Sequence, residues 1–356
     1  MFTASTLISF AGYVSAGKIL WDGRLNGYKT SAFLDKWSFS NEVGPYQYYI
    51  HGDGPVSEYV NLGTAYKNPA DQGSKQGIQI IINNSSVWND DGMLRTELIP
   101  QTTAPINKGK VFYHFSMQHT GVDPPSPYEE HQVCFFESHF TEMKYGLIDG
   151  EQGTLDRSLR WEVNSESQWN ITFEPGVWHN IAYEIDFDGG SVGFYHSTGA
   201  DDLKLTVAPV SVSASSNGED WHLGVLRLPS TTGRSDTAPE YWHFSGVYVE
   251  SGGLTTSVSG PDVAVAGSSV GTDKSSERAT TSTKTKSTSH VAHTSTPTMT
   301  STFVKSKSTI HISETTAVAA ESTLRTQRRP SHSSVATPRI GHSGSECVVH
   351  YHTVLV

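Results

Sequence analysis

Two glutamates sit in the parts of the chain that look most like strands. Glu97 lies in Arg95-Thr96-Glu97-Leu98-Ile99-Pro100. Period-two alternation puts Arg95, Glu97 and Ile99 on one face there, with Leu94, Thr96 and Leu98 on the other. Arg95 and Glu97 would be roughly 7 Å apart along the strand, within side-chain reach. Such a pair is either an ion pair on a solvated sheet face or a carboxylate oriented in a cleft. Glu137 lies in His131-Gln132-Val133-Cys134-Phe135-Phe136-Glu137-Ser138-His139-Phe140. Strict alternation groups His131, Val133, Phe135, Glu137 and His139 on one face, and Gln132, Cys134, Phe136, Ser138 and Phe140 on the other. A glutamate among three phenylalanines is either half-exposed in a groove or desolvated. Desolvation raises a carboxyl pKa, as a general acid near neutrality requires. Breaking a glycosidic bond takes two such carboxyls across a cleft, one giving a proton and one acting as base or nucleophile. If the two strands are neighbours, Glu97 and Glu137 meet that need.

Other polar residues are weaker candidates. His222 interrupts the apolar run Trp221–Leu228, where a histidine is more often a satisfied core residue than a catalyst. His114, Ser116 and Gln118 share a face of the Tyr113–His119 run and could hydrogen-bond a ligand. Residues 44–60 (GPYQYYIHGDGPVSEYV) gather Tyr46, Tyr48, Tyr49, His51 and Tyr59 among Gly and Pro. These read either as loop aromatics stacking on sugar rings or as a cover plugging a sandwich edge. Glu184, Asp186 and Asp188 offer hard oxygens, but a solvated strand face suits them better than calcium. Zinc-type His/Cys spacing, a G-x-S-x-G elbow and a P-loop are absent from the sequence. Cys134, inside VCFF, reads as a small core residue.

The elements that must position these residues are strands. Short apolar or alternating runs recur at Ile78–Ile82, Arg95–Ile99, Val111–Met117, Gln132–Phe136, Trp178–Phe187, Val192–His196, Trp221–Leu228 and Tyr241–Glu250. Gly, Pro, Asn and Asp clusters separate them, including the Pro-rich turn at 121–130. In Trp178–His196 the residues Ile181, Tyr183, Ile185 and Phe187 alternate with polar or small ones. Asp188-Gly189-Gly190 then supplies positive φ for a hairpin. Helical periodicity never persists, so the expected fold is an all-β sandwich of the jelly-roll kind, two antiparallel sheets enclosing one core.

Composition sets the limits of that domain. All 8 Trp, 14 of 15 Tyr and 13 of 14 Phe precede residue 261, whereas 261–356 holds 36 Ser or Thr among 96 residues. That stretch cannot bury enough apolar surface to offset chain entropy and is expected to be a disordered tail, resembling an O-glycosylated stalk. The globular domain is therefore expected over 17–260. It carries 15 basic and 30 acidic residues against 10 and 6 in the tail. An acidic domain repels nucleic acid and anionic polysaccharides and suits a neutral substrate. No run of 18 apolar residues is present, so no membrane-spanning helix is expected. Thr3 to Ala16 is a short apolar stretch ending Val14-Ser15-Ala16, which reads as a signal peptide over 1–16 and secretion. Sequons at Asn83, Asn84 and Asn170 agree with export.

Several long segments together resemble glycoside hydrolase family 131. They include GKILWDGRLNGY, LDKWSFSNEVGPYQYYIHG, RTELIPQTTAPINKGKVFYHFS, HQVCFFESHFTEMK, VWHNIAYEIDFDGGSVGFYHSTGADDL and SVSASSNGEDWHLGVLRLP, and the likeness runs from about Gly17 to Gly252. The resemblance implies a secreted fungal β-glucanase with a β-jelly-roll fold, exo-acting on β-1,3 and β-1,6 linkages and endo-acting on β-1,4 linkages. It implies that Glu97 (in RTEL) and Glu137 (in FFESH) are the catalytic carboxyls, supported by Arg95 and His222 (in DWHLG). The aromatic neighbours of Glu137 favour it as the acid. Tyr46, Tyr48, Tyr49, His131, His139 and Gln118 are the expected substrate contacts. The expected partner is a β-glucan, met by a monomer without cofactor, metal, nucleic acid or membrane. Some relatives append a Cys-rich cellulose-binding module, but 340–356 has one Cys and no aromatic platform, so no such module is recognisable. A jelly-roll polysaccharide lyase is the rival reading. It is disfavoured because HQVCFFESH and WHLGVLRL lack the lyase Tyr and Lys and add a Glu that would repel a uronate. A non-catalytic glucan-binding lectin is the other alternative, though it does not require two strand-embedded glutamates.

Overall fold

The computed structural model describes residues 17–261 except 89–91, 219, 232 and 235. The expected signal segment and all but the first residue of the Ser/Thr-rich stretch lie outside the described residues. Within them the chain forms β1 (Lys18–Asp22), β2 (Tyr46–Ile50), β3 (Val60–Gly63), β4 (Gly77–Ile82), β5 (Leu94–Pro100), β6 (Lys110–Gln118), β7 (His131–Phe136), β8 (Thr141–Tyr145), β9 (Ser158–Val163), β10 (Glu166–Thr172), β11 (His179–Asp186), β12 (Ser191–Thr198), β13 (Lys204–Ser211), β14 (Trp221–Arg227) and β15 (Glu240–Ser251). Three short 3-10 helices interrupt the strands at Ser31–Lys36, Val56–Glu58 and Thr64–Tyr66. One antiparallel sheet has the order β13-β12-β11-β6-β15-β4-β3, with β1 also on β15, and the other runs β10-β9-β8-β7-β14-β5-β2. This is the two-sheet jelly-roll sandwich.

The predicted strands fall where the apolar runs lie. The hairpin at Asp188-Gly189-Gly190 joins β11 to β12 in unbroken register from His179↔Thr198 to Asp186↔Ser191, with Gly190 at φ 66°. Alternate residues of the two sheets meet in the core. Tyr113, Phe115, Tyr183 and Trp242 come from one side, and Leu98, Val133, Trp161 and Trp221 from the other. Trp221 packs edge-on to Tyr113 at 5.2 Å and to Trp21 at 6.0 Å, tying the layers together. Each such ring fully removed from water contributes about 1.5–3 kcal/mol, which lets a core hold without a disulfide. Cys134 is buried in that core, and burial pushes its thiol pKa up.

Strict alternation fails in β7, and the failure shapes the site. Between His222↔Phe135 and Val225↔Val133, β14 spends one residue more than β7, and Cys134 there takes φ 48°. Val133 and Cys134 therefore both face the core, and Phe135 and Glu137 emerge on the opposite face. His131 stays on the inner side and does not share a face with Glu137 as alternation predicts. Gly224 of β14 lies directly across from Glu97 and has φ 155°. A Cβ on Gly224 would sit 2.2 Å from the Thr96 carbonyl oxygen, so glycine is required by contact as well as by φ.

Candidate active site

The seven-stranded sheet turns one face away from the core, and β5, β14 and β7 are consecutive strands across its middle. Glu97 reaches that face from β5 and His222 from β14, while Glu137 follows the end of β7. The peptide N–H of Glu137 donates to the Asp220 carbonyl at 2.8 Å, which fixes it beside the start of β14.

The side chains form one connected series. Arg95 grips Glu97 with two hydrogen bonds, Nε to Oε1 at 2.7 Å and Nη2 to Oε2 at 2.9 Å. His222 Nδ1 donates to Glu97 Oε2 at 2.5 Å, and its Nε2 lies 3.2 Å from Glu137 Oε2. Arg95 Nη2 also stands 3.7 Å from Glu137. The imidazole thus bridges the two carboxylates, held flat by Phe135, which stacks on it at 4.5 Å. The Glu97 side chain is 0% exposed and that of Glu137 52%. Of the two glutamates, Glu137 is the one open to a ligand.

Charge decides the protonation states. Burial pushes Glu97 toward neutrality, but His222 and then Arg95 outweigh it and hold its pKa low. The hydrogen bond from His222 is the largest effect on Glu137; with the charges of His222, Arg95 and His139 it overcomes partial burial and holds the carboxyl down to about 2. Burial alone would discharge His222, yet Glu97 and Glu137 together raise its pKa. All three shifts favour the charged forms, so the arrangement suits an imidazolium between two carboxylates. The expected desolvation of Glu137 by its aromatic neighbours is outweighed, because two cations reach its carboxyl.

His139 comes to the same place. Its ring lies parallel to Phe135 at 5.5 Å, on a backbone with φ 50°, and its Nδ1 donates to Glu142 Oε2 at 3.2 Å. Glu142 is buried and also pairs with Lys144 at 3.8 Å. Sequence reasoning missed Glu142, although alternation in Thr141–Tyr145 pairs it with Lys144 on the polar face.

The remaining predicted contacts divide by burial. Tyr48 is half-buried and pairs with Ile99 of β5, the strand that carries Glu97. Tyr46 and Tyr49 are 0% and 1% exposed and belong to the core, so they are not sugar-stacking loop residues. The segment is a strand whose register breaks between Tyr46 and Tyr48, which turns both rings inward. His131 is buried between the sheets, donating to Glu240 at 2.8 Å, and has no route to a substrate. Gln118 ends β6 in the other sheet, so the core separates it from Glu137. His114 and Ser116 on that strand are engaged with Glu250 and Asn180. Glu184 pairs with Lys110 at 2.5 Å.

The fold is an all-β sandwich whose open face carries two glutamates bridged by a histidine. Residues 19–255 match the family described as glycoside hydrolase 131 catalytic N-terminal domain, and the chain belongs to that family. Among solved structures, a GH131 β-glucanase catalytic domain from Podospora anserina is 58% identical, with a TM-score of 0.67, over 68% of this chain and 100% of that one. The catalytic domain of the glycoside hydrolase family 131 protein from Coprinopsis cinerea is 43% identical, with a TM-score of 0.63, over 69% and 100%. Among curated proteins no relative matches. The enzyme is a glycoside hydrolase of the β-glucanase class, and its substrate is a polysaccharide.

Proposed function

We propose that this chain is a secreted β-glucanase, exo-acting on β-1,3 and β-1,6 linkages and endo-acting on β-1,4 linkages, with Glu137 and Glu97 working on either side of His222. The observation that carries the reading is the His222 ring between the two carboxylates. Glu137, ionised and half-exposed, is the carboxylate that meets the sugar. His222 holds the mobile proton on Nε2, against Glu137, and passes it through that carboxyl to the leaving oxygen as the bond from C1 breaks. Water supplies hydroxyl to C1, and its remaining proton returns through Glu137 to His222, so the series ends as it began. Both oxygens of Glu97 are occupied by Arg95 and His222, so Glu97 acts through the imidazole by stabilising its positive charge. His139, anchored by Glu142, adds a second imidazole beside Glu137. A net acidic domain suits neutral glucans over uronate polymers, and the apolar stretch over 1–16 supports export.

The test is product analysis after incubating the protein with laminarin, mixed-linkage glucan, cellulose and glucuronan. Saturated gluco-oligosaccharides from the neutral glucans are expected, with Glu137→Gln inactive and still folded. Unsaturated ends from glucuronan would instead make the site a lyase. Full activity in Glu137→Gln would remove that residue from the reaction.

A further inference from the structure

Phe39 is 76% exposed, far more than a large aromatic side chain normally tolerates, and it does not stand alone. Trp37 meets it edge-on at 5.0 Å, Tyr48 lies at 6.2 Å and Trp88 at 6.3 Å. Three separate segments supply these rings: the stretch after the first 3-10 helix, the edge strand β2, and the connection between β4 and β5. Trp37 is tied down by donating its indole N–H to the Gln47 carbonyl at 2.7 Å. Convergence of three segments on one exposed ring is a built feature.

Its position says what it serves. β2 is the strand next to β5, and its register pairs Tyr48 with Ile99 and Ile50 with Glu97. Tyr48 and Ile50 therefore stand on the same face as Glu97, Ile50 directly across at one strand spacing of about 5 Å and Tyr48 two residues further along. The aromatic group continues the catalytic face toward the sheet edge. A β-linked glucose unit has equatorial hydroxyls, so its two faces present C–H groups that pack on the electron-rich face of an aromatic ring. A second copy of the chain is a poor occupant. One exposed ring with half-buried neighbours offers a few hundred Å² at most, well below the roughly 800 Å² per partner of a stable interface.

We infer that Phe39, Trp37, Tyr48 and Trp88 form a stacking platform for a glucan unit remote from the scissile bond, extending the substrate cleft over the β2 edge. The inference rests on the β-glucanase reading and assigns the platform to that substrate. It adds hold on long chains and takes no part in bond cleavage.

The experiment uses the full chain carrying Glu137→Gln to stop turnover, titrated calorimetrically with cellohexaose and laminarihexaose. Phe39→Ala in that background is expected to weaken the better-bound hexaose about tenfold, with Phe39→Trp restoring it. In the active enzyme, Phe39→Ala should raise KM for soluble glucan about tenfold and leave kcat within twofold. Phe39 is so exposed that its loss leaves the Tm unchanged. Trp88→Ala provides a second variant from a different segment and should behave alike. Unchanged hexaose affinity in both alanine variants overturns the platform while the catalytic reading stands. Failure of the parent to bind either hexaose overturns both. Sedimentation showing a dimer that Phe39→Ala dissolves would assign the patch to self-association and refute the inference.

Discussion

Replacing Glu97 by Gln keeps the shape of the site and removes one charge from its centre. The carboxylate is fully buried, bonded twice by Arg95 and once by His222, so the change leaves two cations short of a partner. Depriving a buried pair of one member costs about 3–5 kcal/mol, and at roughly 2–4 °C per kcal/mol for a domain of this size the Tm should fall by on the order of 10 °C. The sharper effect is on His222. Its pKa is raised, so the imidazolium is fully present below the ordinary histidine value and is lost as pH rises through the raised one. Removing the Glu97 charge lowers that pKa, so the charged fraction falls at any pH above the lowered value. The basic limb of kcat/KM should therefore move to lower pH, with activity near neutrality reduced and partly recovered in acid. Laminarin hydrolysis followed from pH 3 to 9, beside a His222 imidazole titration by NMR, measures both. A variant that loses activity equally at every pH, with its imidazole titrating as before, refutes the claim that Glu97 works through His222.

Four further outcomes are expected. Activity of the unaltered enzyme should persist well into acid, since Glu137 is held down to about 2 and its charge is lost only as pH falls through that value; a pH–rate profile with an acid limb near the ordinary glutamate pKa would contradict this. His139→Ala should move that acid limb upward, and Glu142→Gln should do so more weakly, as read from the same profile with Tm as control. Burial lowers His179 to about 3 and both His196 and His243 to about 4, so the unfolded chain takes up protons first. The contribution of these three rings to stability is therefore complete above about pH 6.5 and falls below it, by roughly 1–2 kcal/mol per ring by pH 5, and urea unfolding that shows a flat response from pH 7 to 5 would exclude this. Gly224→Ala should cost at least about 3 kcal/mol, because the new Cβ would sit 2.2 Å from a backbone oxygen at a φ that L-residues avoid, and it should cut activity with it.

The jelly-roll strands were legible because their signals are local. Alternation in Trp178–His196, apolar runs such as Ile78–Ile82 and Gly or Pro breaks depend only on near neighbours along the chain. The pairing of Arg95 with Glu97 was legible for the same reason, two residues apart on one strand. The strand at Tyr46–Ile50 was not, since its register breaks midway and its Gly and Pro neighbours imitate a loop. Which face Glu137 takes was also beyond the sequence. Alternation grouped it with His131, whereas the bulge at Cys134 against β14 separates them and sends one to the open face and the other to the core. Sequence alone thus determined the fold class and the pairing of Arg95 with Glu97. Tertiary structure alone decided that β14 lies between β5 and β7, which places His222 between the carboxylates and sets the charge on each. Strand order is fixed by packing between residues more than a hundred positions apart, as Glu97 and His222 are, and no local pattern encodes it.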